Sequence, residues 1–226
     1  VLLAQTERLL NDPRSEAFLD GFLDSWLNLR ALGDMPPDRG ASGAYFYDDL
    51  ETAMKDEAKH YTRNLIETNG PITDYLKSDY VYVNYPLAEL YGIQNRFPND
   101  DRYAFQRVSL EGSNRGGLLG MAGVLTVSAN GIETSPVVRG IYIMENILGT
   151  PPPKPPDEVP ELEPDVRGAA SIRDQLARHS EIKTCAECHR NIDPPGFALE
   201  NFDPIGRWRT KYPDNKGRQG QGSKID

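Results

Sequence analysis

Residues 185–189 read Cys185, Ala186, Glu187, Cys188, His189. Two cysteines three positions apart, with a histidine directly after the second, suit one chemistry above others. On a tight helical turn the two thiols reach the two vinyl groups at one edge of a porphyrin and form thioethers. The next side chain then offers its imidazole to the iron. Covalent bonds would hold the cofactor in a module too small to enclose it by packing alone. Half a zinc site uses similar residues, but no second cysteine pair exists, and His60 and His179 complete only an oddly spaced set. A thioredoxin-type redox pair would follow a strand of a βαβ unit, and none precedes Cys185. A chance pair of surface cysteines is the plainest alternative. The spacing favours one haem c, attached through Cys185 and Cys188, with His189 as the proximal metal ligand.

The residues after the motif extend this reading. The run Asp193-Pro194-Pro195-Gly196 suggests a sharp turn away from the proximal side. Phe197, Leu199 and Phe202 are placed to cover a porphyrin face, or to fill the core of a small module. Arg207, Trp208 and Arg209 suit propionate partners or an electron-exit surface, and equally suit plain packing and charge pairing. The methionines, Met35, Met54, Met121 and Met144, all lie before the motif. An ordinary small cytochrome supplies a distal methionine from downstream, so the sixth iron position stays open. His179, ten residues before His189, is the leading distal ligand. His60, Met121, Met144 and an open or water-bound iron are the alternatives. A saturated iron suits electron transfer; an open one permits peroxide or oxygen chemistry. The glycine-rich run 112–117 lacks the Lys-Ser/Thr of a phosphate loop and reads as a tight turn. The acidic pairs Asp48-Asp49 and Asp100-Asp101 read as solvated faces or caps, since neither sits in a calcium-loop pattern.

The elements that must position these residues are mostly helical. Apolar residues recur at helical spacing over 15–31, with Ser15 as N-cap, and over 48–68, ended by Asn69-Gly70-Pro71. Short helices fit 72–77 and 86–91. Alternation suggests a strand at 103–110. Pattern alone does not separate helix from buried strand at 116–127. Thr134-Ser135-Pro136 starts a helix that runs over 137–148. Seven prolines between Pro151 and Pro164 then mark a stiff connector. A helix at 169–179, the cysteine motif and a short helix at 197–202 complete the chain.

The chain has 226 residues, 38% of them apolar, and a net charge of -9. That is enough for one medium domain or two small ones. The negative charge disfavours nucleic acid as a partner. No run approaches the roughly 18 apolar residues of a membrane span. Two cysteines so close together do not make a disulfide scaffold. The chain opens on Val1 within a helical pattern, which suggests a piece of a longer precursor.

Beyond the motif itself, Arg139-Gly140, the run 148–153, 192–203 and Ile205-Gly206-Arg207-Trp208-Arg209 resemble the large planctomycete-type multi-domain cytochrome c proteins. Residues 22–32, 79–92 and 115–136 resemble the preceding module of the same proteins, whose modules have no assigned function. The resemblance implies an extracytoplasmic, periplasm-like location and a redox partner protein or neighbouring haem module within a larger complex. It implies no particular reaction. The expected fold is mainly α: a helical module over 1–150, a Pro-rich linker over 151–168 and a cytochrome c-like haem module over 169–226. The expected function is electron transfer. A peroxidase- or oxidase-like haem enzyme and a scaffold with a structural haem are the alternatives.

Overall fold

The computed structural model describes residues 1–40, 42–98, 101–153, 173, 176, 183–214 and 220–225. They form a mainly α structure with one two-stranded antiparallel sheet. The helices are α1 (Leu2–Leu10), α2 (Ser15–Trp26), α3 (Gly43–Tyr47), α4 (Leu50–Glu67), α5 (Tyr85–Leu90), α6 (Ala122–Val127), α7 (Pro136–Tyr142) and α8 (Lys183–Phe197).

The central helix is α4. Leu50, Ala53, Met54, Ala58, Tyr61 and Leu65 recur at three- and four-residue spacing and are all buried. Asn69 adopts a left-handed φ of 49° just beyond its end. Against α4 lies α6, whose residues from Ala122 to Thr126 are all buried. An element apolar on every side belongs inside the core, and this one is helical.

The helix expected over 15–31 divides. It stops at Trp26, Asn28 takes a left-handed φ of 53°, and Leu29–Ala31 forms a 3₁₀ turn. A straight helix would point Leu27 and Leu29 to nearly opposite sides. The break lets both be fully buried. Ser15 is the first helical residue rather than the cap. Asp12 Oδ1 accepts instead from the Arg14 amide at 2.9 Å.

The sheet pairs β1 (Tyr80–Val83) with β2 (Gln106–Ser109), in a register that sets Val81 against Val108. Strand β2 is the core of the alternating run at 103–110. Its partner went unread because Tyr-Val-Tyr-Val carries no polar alternation.

Helix α7 begins as its sequence suggests. The Ser135 hydroxyl accepts from the Val138 amide, with Pro136 in the first turn. It does not run evenly to Leu148, because Ile143–Ile147 widens into a π-helical turn.

Two expectations near the motif are corrected. Asp193 to Gly196 does not turn the chain; α8 continues through Pro194 and Pro195 to Phe197. No helix spans 197–202 either: residues 198–201 form a turn, and Phe202 bridges to Trp208. Each proline removes a backbone donor and disfavours the helix interior. Packing against α7 keeps the helix intact. A Cβ at Gly140 would collide with the Ile192 carbonyl, and one at Gly196 with the Pro136 carbonyl, so the two backbones lie in direct contact. Residues 154–168 of the proline-rich stretch lie outside the described residues. Of the helix expected at 169–179, Arg173 and Leu176 are helical and the rest lies outside them.

Segments before and after that stretch share one core. Leu199, Phe202 and Ile205 belong to the same buried cluster as Leu23, Leu50, Met54, Leu87 and Leu125.

Candidate functional site

Helix α8 carries the cysteine motif. Cys185, Cys188 and His189 are partly buried, while Glu187 and Arg190 are exposed. With Ile192 and Gly196 they form a single stripe at helical spacing. The lower half of that stripe packs on α7: Ile192 meets Gly140 and Gly196 meets Pro136. These two pairings make the helices antiparallel. Continuing the register by one turn sets the π-helical segment level with Cys188 and His189, and that segment does contact α8.

Both cysteines are free thiols. They stand on one helical turn with the histidine beside them, so the local geometry fits thioether attachment and leaves the thiols unjoined to each other. Nδ1 of His189 lies 2.8 Å from Oδ1 of Asp193, one turn further along α8. Their side chains are only 12% and 14% exposed. A carboxylate accepts only, so the ring proton sits on Nδ1, and a metal would be met by Nε2. The donor set fits a haem-iron ligand with an oriented imidazole. It fits zinc poorly: among the described residues no three His, Cys, Asp or Glu side chains gather into a metal-holding group.

The other candidates are spread out. Phe197 ends α8 half-buried, with the Arg173 guanidinium 4.2 Å above its ring. Arg207 is exposed, and its amide donates to Asp203 Oδ1 at 2.8 Å within a tight loop. Trp208 packs edge-on to Phe202 at 5.1 Å. It also lines a cleft of about 190 Å³ with Tyr91, Arg96, Ser113, Asn114 and Arg115. Cys185, Cys188 and His189 are not among the residues lining that cleft. The leading distal candidate, His179, lies outside the described residues. His60 stacks on Phe105 at 4.6 Å, beside β1, and burial lowers its pKa. Met121 is buried at the start of α6, as core packing requires, and Met144 is half-buried in the π-helical turn.

Two buried polar groups escaped the sequence reading. Glu57 lies wholly inside the core, with both carboxyl oxygens 2.7 Å from the Tyr91 hydroxyl. That hydroxyl also accepts from the Ala122 amide at 2.7 Å. Arg115 sits 3.6 Å above the Tyr91 ring. Burial pushes the Glu57 carboxyl up to about 8. The second group is Arg139 with Glu200, 3.5 Å apart and almost fully enclosed. The available signal for Glu57 was its place on the buried stripe of α4, between Met54 and Tyr61.

Residues 1–93 match a family model described as PSD4, protein of unknown function (DUF1592). Residues 115–212 match one described as PSCyt3, protein of unknown function (DUF1588). The mainly helical chain thus has two segments that match these models, and the second segment holds α6, α7 and α8 together. No curated protein and no solved structure matches the chain. Among the described residues no helix is long and apolar enough to cross a membrane.

Proposed function

We propose that this chain is a c-type cytochrome serving electron transfer in an extracytoplasmic space, within a larger multi-module protein or complex. The observation that carries the reading is the single face of α8 that holds Cys185, Cys188 and an imidazole fixed through Nδ1 by Asp193. In it, Cys185 and Cys188 would hold one haem c through their Sγ atoms, and His189 would face the iron through Nε2. The group would supply a reversible one-electron couple, filled by a reduced redox protein or a neighbouring haem module. The likeness to planctomycete-type cytochrome c proteins supports the reading. The net charge of -9 suits a partner that presents a basic surface.

The test is expression of the chain, exported, in a host with haem-attachment machinery. Covalent haem that survives denaturation, and a reduced-minus-oxidised spectrum with a sharp α-band unmoved by carbon monoxide, are expected. Cys185→Ala with Cys188→Ala should abolish covalent haem. A purified protein without covalent haem overturns the cytochrome reading. Ready carbon monoxide binding with peroxide turnover overturns the electron-transfer part.

A further inference from the structure

We infer that Asp193 is a positioning residue for the haem iron: its carboxylate orients the His189 imidazole and biases the iron toward the ferric state. The inference rests on the cytochrome reading above and adds a residue that the motif does not contain. The 2.8 Å contact between Nδ1 and Oδ1 joins side chains that are both nearly buried. A charge-assisted hydrogen bond in such a setting is stronger than one in water. It fixes the ring tautomer and turns Nε2 toward the metal. It also makes the imidazole a stronger electron donor, as carboxylate partners of metal-bound histidines do. A stronger donor stabilises the higher oxidation state and lowers the reduction potential.

Two features hold Asp193 in place. It lies one turn from His189 on the same face of α8, and the following Pro194 and Pro195 have fixed φ angles. Ile192 and Gly196, on either side, are seated against Gly140 and Pro136 of α7. The carboxylate is thus mounted on the part of the helix that packs on α7. An ordinary surface pair four residues apart would add little helix stability and leave an iron centre unaffected.

The test compares the haem-loaded wild type with Asp193→Asn and Asp193→Glu. Asparagine keeps the size and a hydrogen-bond acceptor but loses the charge. The inference expects D193N to retain covalent haem and to shift the midpoint potential upward. D193E should restore the potential toward wild type. An unchanged potential in loaded D193N overturns the inference while the cytochrome reading stands. If D193N does not load, D193E decides: a wild-type potential supports the role of charge, and an upward shift overturns it. A wild type that carries no covalent haem fails the cytochrome reading itself, and the inference with it.

Discussion

At the scale of single residues, the groups nearest to chemistry were the most legible. Cys185, Cys188 and His189 stand within about one helical turn of α8, so their spacing alone places them on one face. Asp193 was misread because Asp-Pro-Pro-Gly has the composition of a turn; the contact with α7 that keeps it helical comes from distant sequence. Glu57 was legible only through its place on the apolar stripe of α4, since a glutamate on a long helix is ordinarily solvated. Its burial has a measurable consequence. The folded-state pKa of about 8 lies above the ordinary 4.5, chiefly because burial disfavours the charged form. The folded protein therefore keeps a proton that the unfolded chain releases. Between those two values stability falls as pH rises, by about 1.4 kcal/mol per pH unit from this group alone. Below the window both states hold the proton and the contribution is flat. Glu57→Gln should remove that slope. Denaturant unfolding of both proteins across the window checks it, and parallel stability curves would contradict it.

At the scale of elements, helix existence was readable and helix boundaries were not. The 3.6-residue pattern located α4 and α7, because each buries one face. The break after Trp26 answers to a core that needs both Leu27 and Leu29, which no local pattern announces. The persistence of α8 through two prolines answers to α7. Glycine substitutions separate these effects. Gly140→Ala must push α7 off the Ile192 carbonyl, and Gly196→Ala must push α8 off Pro136. Overpacking of this kind costs about 1–3 kcal/mol or more. Gly21, inside α2, has nothing within 4 Å of a new Cβ. There Gly21→Ala should stabilise by up to about 1 kcal/mol, since alanine favours the helix. Thermal or denaturant melts of the three variants give the comparison; a neutral G140A would mean that the backbone contact is not tight.

At the scale of the whole molecule, the segment that holds the cysteine motif is bound to the segment before the proline-rich stretch. Arg139 of α7 is the fastening. Its Nη1 donates to the Leu199 and Phe202 carbonyls at 2.6 and 2.7 Å, and its Nη2 donates to the Asp203 carbonyl at 3.0 Å. Glu200 provides the countercharge, and its other oxygen accepts from the Thr134 hydroxyl at 2.7 Å. Burial lowers the Arg139 pKa to about 10, so the guanidinium stays charged at neutral pH. An arginine early in an amphipathic helix reads as a surface residue, and its partners lie some 60 positions away, so sequence spacing could not join them. Arg139→Met would take a donor from three carbonyls, of which those of Leu199 and Asp203 keep the Phe202 and Gly206 amides, and would take one of two cations from Glu200, which keeps Arg209 at 3.4 Å. Breaking a buried pair from one side costs about 3–5 kcal/mol. Removing the Glu200 charge as well, in Arg139→Met with Glu200→Gln, should recover only part of that loss, because the change also breaks the buried pair of Glu200 with Arg209. The comparison is made by denaturant unfolding of the two variants. A double variant no more stable than R139M would show that Arg209 alone suffices as the partner of Glu200, leaving the carbonyl contacts as what Arg139 supplies. On the arrangement seen here, loosening this fastening should also loosen α8 against α7, and with it the mounting of His189 and Asp193.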